Sequence, residues 1–201
     1  MRACQPERVP FLQLPPAAAW HHHEARVGFE VVHFHRVGQG YRIDGCTTAV
    51  ESGHPWAVEY ELWLDDRWRT RVAHVRGRSA HGATSSTLQT DGAGHWQVDG
   101  QDAPQLDGCL DVDLESSAMT NALPVHRLDL AVGEQADAPA AFVRALGQST
   151  ERLEQTYTRA SDDGTRRRYD YAAPVFAFTA RLVYDAAGLL LDYPGIAVRA
   201  A

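Results

Sequence analysis

The feature that most constrains this chain is a series of short segments between Arg26 and Gln89 in which apolar and polar residues alternate, with turn signals recurring about every ten positions. Val27, Phe29 and Val31 alternate with Arg26, Gly28 and Glu30 in a stretch reaching His35, the period of a strand with one buried face. The pattern continues through Tyr41 to Val50, Trp56 to Leu64, Trp68 to Arg76 and Ser79 to Gln89, separated by Gly38-Gln39-Gly40, Gly53-His54-Pro55 and Asp65-Asp66. Such short connections predict antiparallel neighbours. Asp91-Gly92-Ala93-Gly94 and Asp99-Gly100 bracket one more piece, His95 to Val98. After a middle segment come Val125 to Val132, Ala141 to Leu146, Arg152 to Arg159, Arg167 to Tyr171, Val175 to Tyr184 and Leu189 to Tyr193, about a dozen strands in all. Between Ala136 and Leu146 the alanines favour a helix, whereas Pro139 and Ala141-Phe142-Val143 fit an edge strand, and the reading stays open. Strand twist prevents so large a sheet from lying flat. The expected fold class is all-β: a long, curled antiparallel sheet forming a spiral roll or half-barrel, with little helix. Residues 1–19 are expected to be irregular and residues 20–201 to form one domain.

Charge removes several function classes. The 201 residues carry 26 acidic side chains against 19 basic ones, all arginine, for a net charge of -7. Tracking a phosphate backbone needs clustered cations, so no nucleic-acid partner is expected. The one basic run, Arg166-Arg167-Arg168, follows the turn signal Asp162-Asp163-Gly164 and is read as alternating across a hairpin mouth. Pro6, Pro10, Pro15 and Pro16 interrupt the apolar residues of the first twenty positions, so an export signal is not expected. No stretch has the ~18 apolar residues of a spanning helix, and the expected compartment is the cytoplasm. Cys4, Cys46 and Cys109 have no paired spacing and are read as thiols.

The polar-functional residues concentrate where the strand period stops, in Leu106 to Leu114 and Met119 to Leu128. Asp111 and Asp113 share one face of an extended strand, and with His126 they form a candidate acid–base or hard-metal set. The spacing matches no calcium loop, and local side-chain to backbone bonding by these residues is the favoured reading. His21-His22-His23 is read as surface histidine, because neighbours on a strand point to opposite faces. His33 and His35 fit the solvent or the lumen side of a sheet equally well. No metal or cofactor is expected. There is no Gly-x-Ser-x-Gly elbow, Walker loop, dinucleotide fingerprint or His-Glu-x-x-His. The aromatics Trp20, Trp56, Trp63, Trp68, Trp96, Tyr60, Tyr157, Tyr169, Tyr171, Tyr184 and Tyr193 fall almost entirely on or beside strands, and a curled sheet so furnished can enclose an apolar cavity.

Four pieces together resemble a known set: Gly108 to Leu128, Trp56-x-x-x-Tyr60 leading to Asp66-x-Trp68-x-Thr70-Arg71, Gly94-x-Trp96-x-x-Asp99-Gly100, and Asp192-Tyr193-Pro194-Gly195. The chain resembles the putative glycolipid-binding family of bacterial proteins from about Trp20 onward. The most specific piece is Gly-Cys-x-Asp-Val-Asp-Leu followed by Thr-Asn-x-Leu-Pro and a basic residue before Leu. The chain departs from the family pattern at Ser117-Ala118-Met119, where Thr-Pro is usual, and at His126, where an arginine is expected. The resemblance implies a spiral roll similar to the half-barrel of lipoprotein-localisation factors, with an apolar concavity for acyl chains.

The partner so implied is a glycolipid or another amphipathic small molecule. The residues expected to meet it are Trp56, Tyr60, Trp68, Arg69, Arg71, Trp96, Asp111, Asp113, Asn121, Arg127 and Tyr193, with Arg127, Arg69 or Arg71 at the head group. Burying ~8 methylenes at ~0.8 kcal/mol each supplies ~6 kcal/mol before association costs, so such a site needs no catalytic motif. Two alternatives are an enzyme on a small amphipathic substrate using Asp111, Asp113 and His126, and a homo-oligomeric module joined through strand edges.

Overall fold

A computed structural model describes residues 9–147 and 149–201; Cys4 and Pro6 lie outside the described residues. The strands are β1 (Ala17–His22), β2 (Val27–Val37), β3 (Gly40–Glu51), β4 (His54–Leu64), β5 (Thr70–Ser79), β6 (Gly82–Thr90), β7 (Trp96–Val98), β8 (Gln101–Asp102) and β9 (Asp111–Leu114). A single α-helix among the described residues, α1 (Ala122–Leu128), precedes β10 (Gln135–Asp137), β11 (Ala140–Val143), β12 (Thr150–Leu153), β13 (Thr156–Asp163), β14 (Arg166–Ala173), β15 (Phe178–Tyr184), β16 (Leu190–Tyr193) and β17 (Ala197–Arg199).

Fourteen of these strands form one sheet in the order β10-β13-β14-β15-β16-β17-β1-β2-β3-β4-β5-β6-β7-β8, which ends in two separate edges and is not closed. The first strand is the seam. β1 pairs antiparallel with β2 on one side and with β17 on the other, so it joins the N-terminal meander to the C-terminal one. Trp20 fastens this seam: fully buried, it donates from Nε1 to the Leu190 carbonyl at 2.8 Å, and the Arg199 guanidinium lies 4.6 Å from its ring. β12, β11 and β9 form a second, three-stranded sheet in which β9 and β11 are parallel.

The middle segment fills the curve of the large sheet. Ser117 reaches Tyr60 on β4 and Glu30 on β2, while Asn121 meets Tyr157 on β13 and Tyr184 on β15, strands on opposite arms of the sheet. Val112, Leu114, Met119, Leu123 and Val125 are buried among the inward faces of both arms. The expected apolar concavity is therefore largely occupied by the chain itself. One cross-sheet contact requires a glycine: Tyr60 pairs with Gly45, and a Cβ at Gly45 would sit 2.0 Å from the phenol ring. Without it, the ring lies across β3 and its hydroxyl reaches Glu30 two strands away.

Four local expectations are corrected. The first strand among the described residues is β1, so regular structure begins at Ala17, ahead of the expected boundary at residue 20. On β2 the faces are reversed: Val27 and Phe29 are exposed, whereas Glu30, Val32 and Phe34 point inward, because Glu30 accepts hydrogen bonds from the middle segment. Val125 to Val132 is not a strand; the chain there enters α1 through a 3₁₀ turn at Met119–Asn121. Pro124 falls in the first turn, where no backbone N–H is required, and Asp129 at φ 41° ends the helix. Trp68 belongs to a turn at φ 63°, held by Asp65, whose Oδ1 accepts the Arg67 and Arg69 amides. The open stretch at Ala136 to Leu146 resolves into β10 and β11, and Ser79 to Gln89 divides at the β5–β6 hairpin. Among the described residues no helix is long and apolar enough to cross a membrane, which says nothing of strands.

Candidate functional site

What the middle segment leaves open is a pocket of about 260 Å³ where β9, β11, β12 and the C-terminal arm meet. β9 contributes Asp113 and Leu114, and Glu115 follows directly. Ser117 and Asn121 come from the 3₁₀ turn region, and Phe142 from β11. Across from them stand Tyr171 and Ala173 of β14, Phe178 of β15 and Tyr193 of β16, with Phe176 from the 3₁₀ turn Pro174–Phe176. The register places Ala173 beside Phe178, so a small side chain at 173 leaves room under the aromatic rings. Tyr171, Phe178 and Tyr193 pack mutually at centroid distances of 5.9–6.2 Å.

Asp113 is the unusual group in this pocket. Burial pushes its carboxyl up to about 7; the Thr120 hydroxyl, 3.1 Å from Oδ1, opposes that, and nearby Asp111 and Glu115 reinforce it. Among the described residues no hydrogen bond reaches Oδ2. Tyr157, Tyr171, Tyr184 and Tyr193 surround it, and burial raises the pKa of each well above that of a free phenol. Asn121 spends Oδ1 on the Tyr157 hydroxyl and Nδ2 on the Ala118 carbonyl.

Two arginines also line the pocket, and both are engaged by protein acids. Arg26 donates from Nη1 to the Glu115 carbonyl at 2.6 Å and has Nη2 3.9 Å from Glu51, while its buried Nε has no partner among the described residues. Arg144 pairs with Glu151 at 2.7 Å and Glu115 at 3.5 Å, and its guanidinium lies 4.9 Å from the Phe142 ring and 5.4 Å from that of Phe176.

A family model described as putative glycolipid-binding matches residues 17–199. The chain belongs to this family. Among solved structures, a DUF1089 family protein from Pseudomonas aeruginosa is 34% identical, with a TM-score of 0.74 over 84% of this chain and 90% of that one. A β-barrel-like protein of domain of unknown function DUF1849 from Brucella abortus shares the fold at a TM-score of 0.51 and 9% identity, over 91% of this chain and 92% of that one. No curated protein matches the chain.

In this member of the glycolipid-binding family, the residues expected to meet a ligand do not gather in one place. Asp113, Asn121 and Tyr193 line the pocket. Trp56 and Trp96 are core side chains, and Trp96 Nε1 donates to the Cys109 carbonyl. Tyr60 is committed to Glu30 and Ser117. Arg69 pairs with Asp65 at 2.8 Å and Arg71 approaches the same carboxylate at 3.9 Å, away from the pocket. Asp111 and Arg127 hold each other in a buried bidentate pair. Arg26, Phe142, Arg144, Phe176 and Phe178 were not expected, and no local pattern marks them, because the fold brings them together from separate elements.

Nor does the expected trio converge. Asp111 is sealed by Arg127, Asp113 lines the pocket, and His126 lines a different cleft of about 650 Å³ with Phe11, Phe34, Tyr41 and Trp68. Burial lowers the His126 pKa to about 3, and the ring stacks on Trp68 at 3.6 Å with planes 2° apart. That cleft is larger, yet its central rings cover one another, and of its other polar residues His35 and Arg36 are exposed and Asp129 is only partly buried. The smaller pocket is therefore the better-built site. The surface reading of the histidine run also needs correction at His22, which is buried with Nε2 3.7 Å from Glu30. Cys46 and Cys109 are free thiols.

The partly buried Asp113 carboxyl makes stability depend on pH. Unfolded, Asp113 ionises near ~4, whereas the folded group keeps its proton up to about 7. Its contribution is full below ~4 and is lost as pH rises through the folded value. Asp113→Asn removes that slope, and at pH 8 the variant is more stable than the wild type by on the order of 2 kcal/mol. Urea unfolding at pH 5, 6.5 and 8 checks this; parallel pH profiles for the two proteins would mean that Asp113 is already ionised when folded.

Proposed function

We propose that the protein binds an amphipathic small molecule, a glycolipid or a related lipid, in the pocket beneath Phe142 and Phe176. The observation that carries this reading is the convergence of a partly unsatisfied carboxyl, an amide and two phenols with a set of aromatic and aliphatic walls in one recess. That is the mixture of apolar lining and few polar groups expected of a small-molecule site. At about 260 Å³ the recess falls just below the usual ~300–1,000 Å³ of such sites, so it houses part of an amphipath. Membership of a family described as putative glycolipid-binding supports the ligand class. The enzyme alternative loses its three-residue arrangement, since Asp111 and His126 face elsewhere.

Native mass spectrometry of the protein purified from its own host tests the reading. The wild type is expected to carry a lipid adduct and to take up a fluorescent lipid. Ala173→Leu, which extends a buried side chain into the recess, is expected to reduce uptake at least tenfold while its melting temperature stays within a few degrees. A wild type with neither adduct nor uptake contradicts the proposal, as does undiminished uptake by a folded Ala173→Leu variant.

A further inference from the structure

The pocket carries its polar groups at depth and its apolar surface at the mouth. Ser117 and Asn121 are almost completely buried, with Asp113 beside them, and Leu114, Leu153 and Ala173 complete the inner walls. At the opening Phe176 is 43% exposed, and the adjoining Val175 is 70% exposed. Phe178 and Ile196, both partly buried, connect rim to interior. The outward turn is fixed in place: Ala177 closes it at φ 48°, and the Phe176 ring rests 5.6 Å from that of Phe142.

We infer that the ligand enters head-first, with a neutral, hydroxyl-rich head group such as a sugar ring against Asp113 and between Tyr171 and Tyr193. Its hydrocarbon tail then leaves over Phe178 and Ile196 to cover Phe176 and Val175. This deepens the lipid-binding reading and rests on it. It also reverses the expectation of acyl chains within the concavity, because the middle segment already fills that space.

Hydration, charge and the apolar rim all favour this direction. A tail entering first would strip water from Asp113 Oδ2 and return no hydrogen bond, which is costly for a polar group. Hydroxyl groups both donate and accept, so they satisfy the carboxyl in either protonation state. The charge of the head follows from the ion pairs. Arg144 is answered by Glu115 and Glu151, and Arg26 by Glu51 and the Glu115 carbonyl, while Asp113 and Glu115 present acid groups to the recess. Among the described residues an anionic head would find no cation in the recess that is not already engaged by an acid or a carbonyl, and it would face those carboxyls. On the rim, Val175 and Phe176 lose water-exposed apolar area only if something apolar lies over them.

Isothermal titration of the full chain with three probes tests the orientation: octyl glucoside below its micelle concentration, methyl glucoside and decanoate. Octyl glucoside is expected to bind at least tenfold more tightly than decanoate, and Asp113→Asn to weaken it by about tenfold. Phe176→Ser, a change at an exposed position, is expected to weaken octyl glucoside while leaving methyl glucoside unchanged. Decanoate binding more tightly than octyl glucoside, undiminished in Asp113→Asn, would overturn the head-first orientation and leave lipid binding standing. If neither amphipath bound and no lipid co-purified, both the orientation and the underlying reading would fall.

Discussion

Replacing Arg127 with methionine is expected to lower stability by about 3–5 kcal/mol, the loss typical of breaking a buried ion pair from one side. Asp111 is 1% exposed, and Arg127 holds it with Nε 2.9 Å from Oδ1 and Nη2 2.6 Å from Oδ2. Burial already pushes the Asp111 carboxyl upward against the pull of that guanidinium. Without Arg127 the carboxyl is left in a dry site, where it must either remain charged at great cost or take up a proton. The deficit should therefore be larger at pH 8 than at pH 5. Asp111→Leu combined with Arg127→Met should recover most of the loss, because two apolar side chains need no partner. Urea unfolding at both pH values measures each effect. A loss below ~1 kcal/mol at pH 8 would place the pair among solvated surface bridges. The pair ties α1, which follows directly on Asn121, to β9, which carries Asp113, so loosening it should also weaken ligand binding.

Glu30→Ala is the second large effect. Glu30 is fully buried and accepts three hydrogen bonds: from the Tyr60 hydroxyl at 2.6 Å, the Ser117 hydroxyl at 2.5 Å and the Ala118 amide at 2.8 Å. Alanine removes the acceptor and strands all three donors out of reach of water. Each stranded donor costs roughly 1–3 kcal/mol, and a total on the order of 4 kcal/mol is expected after partial relaxation. In a chain of this size that corresponds to a drop of roughly 8–16 °C in melting temperature. Tyr60→Phe removes only one of the donors and should cost about 1 kcal/mol. Calorimetry on both variants checks the ranking; a drop of less than ~3 °C for Glu30→Ala would mean that water enters the site.

The same residues show how far sequence reasoning reaches. Alternation and turn glycines were enough for the curled sheet, because β2 to β6 are long, adjacent and joined by tight turns. β1 escaped notice because Ala17-Ala18-Ala19-Trp20-His21-His22 lacks the β-branched residues that mark strands, and its role as a seam depends on β17 at the far end of the chain. Val125 to Val132 fits a strand in sequence, while the decisive features of α1 are a preceding 3₁₀ turn and a proline in the first helical turn. Glu30 faces inward although its apolar neighbours Val27 and Phe29 suggested the reverse; its partners lie on the middle segment, 87 and 88 positions away.

Polar composition pointed to a stretch of which Asp113 and Asn121 line the pocket, without showing which polar groups serve each other. Asp111 and Arg127, expected as ligand contacts, are instead partners to one another. Asp113 differs by two positions, and among the described residues no cation pairs with it. The aromatic mouth was illegible because Phe142, Phe176 and Phe178 reach it from β11, a turn and β15.

The most direct measurement is a crystal structure of the protein grown with octyl glucoside. Electron density is expected in the recess between β9 and β14, with the sugar ring near Asp113 and the alkyl chain emerging over Phe178 toward Phe176. An empty recess, with the molecule lodged instead between Phe11 and Trp68 or on the outer face of the sheet, would contradict it.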